Sequence, residues 1–353
     1  DLVQVDHDAR GARGAGGAGP AQRRLAALLW TATWFVVARL AEAGAQGWIE
    51  QERAAGARVS HRRLGVEGFP LRWTLVAEDY AIARPAPRPQ SATGPRIEAT
   101  ISPLDLSRVV LRFPGRHRLE HGELALELEA ARPDAVLALR ADGRVAGIRA
   151  ELGEATLRWP GAPGAARAAR IVVDLHEIDP PDPATRAFLR FALALTDLAP
   201  PAGARPPFDR PLQGGEIELR VRGERAAAGT QAARIEAWRV SGGVVEMPRL
   251  RLDWSPVAMA GEGTATLDAL NRPEAAMTLR IAGVPELLQA LSRAGLVARQ
   301  QATMLGALAA GMARTDPASG RQEVAVPVTA QNGRLMLGGI PVMALQPLEL
   351  GPR

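Results

Sequence analysis

From about residue 57 to the C-terminus, apolar and polar positions alternate with a period of two. In Glu123-Leu124-Ala125-Leu126-Glu127-Leu128-Glu129 the leucines fall on one side and the glutamates mostly on the other. The same alternation runs through Glu216–Val221, Arg249–Trp254, Met277–Ile281 and Arg334–Leu337. One-sided alternation predicts a sheet with one buried and one wet face, typically antiparallel. Asp142-Gly143, Gly214-Gly215, Gly242-Gly243 and Asn332-Gly333 read as turns between strands. The Pro- and Gly-rich stretches 84–95, 159–164 and 199–212 read as loops, and Ala184–Leu198 fits either helix or strand. One helical region interrupts the pattern. Pro285 suits the first turn of a helix carrying Leu287, Leu288 and Leu291, and Gly295 ends it. A second helix follows from about Ala298 to Met312, and the pair is expected to pack on, or cap an end of, the sheet. Glu323–Ala330 and Arg334–Leu337 form a hairpin across Asn332-Gly333.

The N-terminal part reads differently. Residues 1–22 are rich in Gly, Ala and Arg, lack apolar periodicity and are expected to be disordered. Arg23 and Arg24 then precede the charge-free stretch Leu25–Ala38, in which Leu25, Leu28, Leu29, Trp30, Trp34, Phe35, Val36 and Val37 form a candidate membrane anchor. At about 1.5 Å per residue the stretch covers roughly 21 Å, short of a hydrocarbon core of about 30 Å. Continuing to Trp48 supplies the length but brings in Arg39, Glu42 and Gln46. Arg39 can snorkel and Trp48 can sit among headgroups. A retained signal anchor over 23–55 is favoured. A cleaved signal peptide is the alternative, because Ala41-Glu42-Ala43 has the small-x-small form of a cleavage site. A buried soluble helix is the third reading. The short tail and large C-terminal body favour an N-inside, single-pass topology in the inner membrane, with the domain 56–353 in the periplasm. The fold class expected is mainly β: a membrane helix, an extended, curved, largely antiparallel sheet body and a small helical pair near the C-terminus.

Charge changes this picture little. The sequence pI of about 10.9 rests on a formal net charge of only +5, all fixed cations being arginine. Arg220, Arg222, Arg249 and Arg251 alternate with apolar residues, which is the wet face of strands rather than a basic patch. No nucleic-acid partner is expected. With no cysteine, disulfides, thiolate metal sites and cysteine catalysis are excluded.

One pattern invites a chemical reading. His117-Arg118-Leu119-Glu120-His121 fits the H-x-x-E-H of inverted zinc peptidases, whose histidines meet one zinc only on a helix. Pro114-Gly115 before it and the strand pattern after Gly122 argue for a strand, where the two rings stand roughly 13 Å apart. Two surface histidines near a turn are therefore expected. Asp179 and Asp182 lie in a proline-rich run and read as solvated loop acids. Glu151 and Glu154 have an odd spacing, which places them on opposite faces of a strand. No nucleophile elbow, phosphate loop or dinucleotide fingerprint is present, so no catalytic residue, cofactor or metal is assigned.

Several ordered segments resemble the bacterial family called domain of unknown function 2125. They include Trp34-Phe35, Arg53-Ala54-Ala55-Gly56, Gly68-Phe69-Pro70, Ser102-Pro103-Leu104 and Phe113-Pro114-Gly115-Arg116-His117. Trp238 with Gly242-Gly243, Trp254-Ser255-Pro256, Asn332-Gly333-Arg334-Leu335 and Ile340-Pro341 continue the series. The resemblance implies a membrane-anchored envelope protein of Gram-negative bacteria with a β-rich body, distantly similar to AsmA-type proteins, and no catalytic residues. Gly68, Phe69, Pro70, Trp238, Gly242, Gly243 and Trp254 are read as structural, with Gly68-Phe69-Pro70 a strand-to-strand corner whose phenylalanine anchors in the core. Three functions are weighed: a sheet groove that binds lipid or a lipid-like ligand, a tethered module that binds another envelope protein, and an unrecognised envelope hydrolase.

Overall fold

The structure, a computed structural model, describes residues 20–84, 89–161, 164–178, 181, 186–204, 210–225, 230–317 and 320–348. Helix α1 (Pro20–Ala54) leads into β1 (Arg58–Ser60), β2 (Arg63–Glu67), β3 (Trp73–Arg84), β4 (Gln90–Ser102), β5 (Asp105–Arg112) and β6 (Arg116–His121). Then come β7 (Leu124–Glu129), β8 (Arg132–Leu139), β9 (Val145–Arg158), β10 (Ala166–Glu177), β11 (Ala187–Ala199) and β12 (Leu212–Arg222). After α2 (Gln231–Val240) follow β13 (Val244–Trp254), β14 (Val257–Leu267), β15 (Pro273–Ala282), α3 (Val284–Arg293) and α4 (Arg299–Met312). The chain closes with β16 (Arg314–Thr315), β17 (Gln322–Gln331), β18 (Arg334–Leu337) and β19 (Ile340–Ala344).

Among the described residues the 19 strands form one antiparallel sheet, most of it a meander in which neighbours in sequence are neighbours in space. β1 and β2 share the flank of β3, and β5 and β6 share that of β4, broken at Phe113-Pro114-Gly115 where proline offers no N–H. β7 and β8 in turn pair with β6, β5 and β9. From β9 to β15 each strand pairs with the next, and β17 and β18 continue to β19.

The registers put apolar residues of successive strands side by side on one face. Ile148, Leu175, Phe191 and Leu219 make one row, Leu152, Ile171 and Leu195 a second, and Leu252, Met259, Ile281 and Val324 a third. The other face carries arginine–carboxylate pairs between strands: Arg149–Asp174 at 3.0 Å, Arg170–Glu151 at 2.8 Å, Arg190–Glu218 at 3.1 Å and Arg280–Glu262 at 3.4 Å. Such exposed pairs contribute about 0–1 kcal/mol each, so they mark the wet face more than they hold it. Asp79, Glu154 and Asp197 take left-handed φ values of 48°, 52° and 48° within their strands. Glu154 and Asp197 flank the same point on β10, where burial shifts from Ala166 and Ala168 to Ile171.

Among the described residues no second layer covers most of the apolar face. The accessible surface is 23208 Å², whereas a compact protein of 37.4 kDa exposes roughly 14,000 Å². Among the described residues Val76 is the one large side chain that is fully buried, and many of the other buried apolar residues are alanines. Two helical pieces supply partial cover. α3 and α4 pack on each other and against β14 and β17, as the sequence predicts. Pro285 stands in the first turn of α3, and Gly295 at φ 74° lets Leu296 N–H reach back to Leu291 O.

Several sequence expectations change. Residues 20–22 belong to α1, and 1–19 lie outside the described residues. Gly214-Gly215 is not a turn but part of β12, flanked by Leu195 and Leu252. The stretch 84–95 is not all loop: β4 begins at Gln90 and takes in Gly94 and Pro95. Ala184–Leu198 resolves to the strand β11 from Ala187. Gly242-Gly243 joins a helix to a strand, because α2, unforeseen in the sequence, precedes it. Asn332-Gly333 is the expected hairpin, with φ of 53° and 71°.

Candidate functional site

α1 lies along the first edge of the sheet. Trp34, Val37 and Ala38 pack with Val66, Trp73 and Ile101, and Ile49 packs with Ala57, Val59, Leu64 and Ile82. Two charged side chains of the helix meet the backbone of the edge strands. Glu42 Oε1 accepts from Val66 N–H at 3.0 Å, and Arg53 Nη2 donates to Val59 O at 2.7 Å. An open edge is a template for pairing with another chain, so these contacts close it. The charges that make α1 look too polar for an anchor thus have partners in the sheet.

The corner Gly68-Phe69-Pro70 docks on the same helix. Gly68 has φ 102°, and the Phe69-Pro70 peptide is cis. Trp30 Nε1 donates to Pro70 O at 2.9 Å, Trp34 Nε1 to Arg72 O at 3.0 Å and Trp73 Nε1 to Trp34 O at 3.1 Å. Phe69 stands 5.4 Å from Trp34 and 5.9 Å from Phe35, ring centre to ring centre. Phe69 therefore anchors against the helix and stays 50% exposed, rather than entering the sheet core as the sequence suggests. Of the anchor residues, Trp34 and Val37 face the sheet, while Leu25, Leu28, Leu29, Phe35 and Val36 are exposed. α1 from Ala21 to Ala54 is long and apolar enough to cross a membrane, by length and composition.

A second feature lies farther along the apolar face. Thr230 caps α2 by accepting from Ala233 N–H at 3.2 Å, and Ala232, Ile235 and Trp238 make its inner face. Trp238 donates its indole N–H to Arg222 O at 2.7 Å and lies flat over Gly243. Between α2 and the sheet is a cavity of about 590 Å³, walled chiefly by apolar side chains including Phe188, Leu189, Val221, Ile235, Trp238 and Val245. Glu177, Glu224, Arg225 and Arg234 also line it, with Arg225 paired to Glu177 at 2.6 Å. The sequence signals for this site were Thr230 and the i, i+3 spacing of Ile235 and Trp238. Trp238, Gly242 and Gly243 come together here, and Trp254 does not: its indole N–H donates to Arg210 O at the opposite end of β13.

The H-x-x-E-H pattern sits on β6, so its histidines do not converge. His121 is exposed, but His117 is 4% exposed, not a surface residue. Its ring lies over Gly94, with Nδ1 2.9 Å from the Tyr80 hydroxyl, and its Nε2 has no partner among the described residues. Burial pushes the Tyr80 phenol up from its ordinary pKa. Glu151 is held below the usual carboxylate range by the hydrogen bond from Arg170, and Glu154 sits at its strand irregularity. Among the described residues no three His, Asp or Glu side chains are placed to hold a metal. Asp179 and Asp182 fall outside the described residues.

A family model described as an uncharacterized protein conserved in bacteria (DUF2125) matches residues 34–346. No curated protein and no solved structure matches the chain.

Proposed function

The chain belongs to the bacterial DUF2125 family, and from that premise we propose that it is a membrane-anchored envelope protein whose sheet holds a lipid or lipid-like ligand against its apolar face. The observation that carries this reading is the single layer. Rows of leucine, isoleucine, valine and methionine run across strand after strand, and among the described residues no second layer covers most of them. A sheet with one apolar face needs a helix, a sheet or a ligand over it. The cavity under α2 has an apolar wall of the size that takes part of an acyl chain, with Arg225, Arg234, Glu177 and Glu224 as the polar groups toward a headgroup. The inner membrane and a periplasmic body are part of the proposal, as is the distant kinship to AsmA-type proteins.

The test is mass spectrometry of the full chain purified in mild detergent from a Gram-negative host, beside Ala265→Phe, which fills the cavity from a residue lining it. A stoichiometric phospholipid mass on the native chain, missing from a folded Ala265→Phe variant, is the expected result. Lipid retained equally by both is annular and removes the cavity from the proposal.

A second reading has one observation in its favour. Unlike the edge under α1, β19 is exposed along its whole length, with Ile340, Val342 and Met343 each more than half exposed. Such an edge can take a strand from another envelope protein. Pull-down with an edge-blocking variant separates this tethered module from a lipid holder.

A further inference from the structure

The contacts of α1 fix its direction along the sheet. Trp34 meets Trp73 at the start of β3, Glu42 meets Val66, which pairs with Leu75, and Glu52 meets Arg84 at the end of β3 with a 2.9 Å ion pair. The helix therefore runs alongside β3 in the same sense, and Pro20–Thr33 projects past the Trp73 end of the sheet. The apolar part of that projection, Leu25–Thr33, is nine residues long, roughly 14 Å at 1.5 Å per residue and well short of a hydrocarbon core of about 30 Å. A helix fixed to the sheet at Trp30 and Trp34 cannot slide outward to make up the difference. The bilayer must instead thin locally and meet the sheet end at the level of Trp30 and Trp34, where the Gly68–Arg72 loop docks.

Those loops carry unusual surfaces. Leu71 is 78% exposed in the loop before β3, and Leu104 is 95% exposed in the turn between β4 and β5. The two loops are adjacent because Trp73 pairs with Ile101. Phe69 and Leu106, at 50% and 61% exposed, extend the same surface, and Phe69 stacks on exposed Phe35 of the helix at 5.9 Å. The Arg39 side chain, 85% exposed, pairs with Glu42 at 3.3 Å on the helix beyond this apolar band.

The geometry points to end-on seating of the sheet on the bilayer: Phe69, Leu71, Leu104 and Leu106 enter the interface beside the anchor helix, and the strands stand steeply off the membrane. The partner is the lipid bilayer itself, and the inference rests on the reading of α1 as an anchor. It gives the cis-proline corner a second task, to clamp the helix and carry apolar side chains into lipid. It also sets the α2 end of β12 and β13 toward the membrane, because the meander returns Arg222 and Val244 to the same end as Trp73.

The chain has no cysteine, so single cysteines report without background. Leu28→Cys, Leu71→Cys, Leu104→Cys and Leu124→Cys, each in the full chain, are labelled with an environment-sensitive fluorophore. They are placed in phosphatidylcholine–phosphatidylglycerol vesicles with or without nitroxide-bearing lipid. Leu124 is 72% exposed at the far end of the sheet, where His121 pairs with Gln90. The expected result is a blue shift and loss of most emission to the nitroxide at positions 28, 71 and 104, with position 124 unaffected. Loss at 28 but not at 71 or 104 overturns the seating and leaves the anchor standing. No loss at 28 overturns the anchor and the seating together. Loss at 124 as well as 71 and 104 means that the sheet lies flat, which also overturns the proposal.

Discussion

Two glycines serve as floors for flat rings, and neither is needed there for its backbone angle. A Cβ on Gly243 would sit 2.2–2.4 Å from three atoms of the Trp238 indole, and one on Gly94 would sit 2.1 Å from His117 Nδ1. Trp238 cannot easily retreat, because its N–H is held by Arg222 O. Gly243→Ala should therefore cost about 1–3 kcal/mol by overpacking. Gly242 next to it has φ 76° but open space around it, so Gly242→Ala should cost only about 1 kcal/mol of backbone strain. Urea unfolding of the two variants checks the order, and equal losses would discard the ring-floor account. At the other ring, Tyr80→Phe strips the partner from His117 Nδ1, and among the described residues neither nitrogen of that buried imidazole is then paired. A loss of about 1–3 kcal/mol is expected in the same assay. These roles were only half legible. The Gly-Gly pair shows a turn, but one-dimensional spacing does not reveal a tryptophan folding back from five residues earlier. The H-x-x-E-H pattern on a strand was readable from Pro114-Gly115, whereas the burial of His117 depends on Tyr80 from β3.

At the scale of elements, α1 shows why a composition test and a structure disagree. Beyond Arg23 and Arg24 its charges fall at Arg39, Glu42, Glu50, Glu52 and Arg53, which dilutes the apolar signal, yet Glu42 and Arg53 meet backbone groups of the edge strands. Glu42→Ala should lower stability by about 1–2 kcal/mol, with Glu42→Gln retaining most of it because an amide oxygen can still accept from Val66 N–H. Thermal melts in one detergent decide this, and a Gln variant as weak as Ala would mean that the negative charge, not the acceptor, matters. The strand ladders carry a different dependence. Burial pushes the Glu218 carboxyl up, but hydrogen bonds from Arg220 and Arg190 outweigh it and hold it below its ordinary 4.5. A carboxyl lowered in the folded state stabilises fully above its unfolded value, and that stability is lost as pH falls through the folded one. Stability should therefore drop as pH moves downward from about 4.5, and Glu218→Gln should flatten that acid limb while being less stable near neutrality. A melting series from pH 7 to 3 with an unchanged slope in the variant would assign the acid limb to other carboxylates. The helix pair α3–α4 was legible because Pro285, the leucine spacing and Gly295 are local signals. α2 was missed because only Ile235 and Trp238 carry its inner face beside Ala232.

At the scale of the molecule, period-two alternation announced a one-faced sheet, but not that all its strands would join in one layer. Nothing local distinguishes a meander that continues from one that folds over to face itself. That choice shows only in the registers and in the excess of accessible surface over a compact protein of this mass. A continuing sheet has two edges, and this one treats them differently. α1 covers β1 and β2, whereas β19 exposes Ile340, Val342 and Met343, and among the described residues Pro341 is the one feature of that strand that resists pairing. Bare apolar edges pair with one another, so the purified chain should self-associate through β19. Val342→Lys places a charge on that edge at an exposed position, where stability should change by no more than about 0.5 kcal/mol. Sedimentation velocity in detergent should then show the variant shifted toward the monomer at concentrations where the native chain associates. Glu42→Ala should move the distribution the other way by opening the second edge. If Val342→Lys leaves the distribution unchanged while Glu42→Ala enlarges it, the last strand is already covered by a neighbour that pairs elsewhere, and the tethered-module reading loses the edge on which it depends.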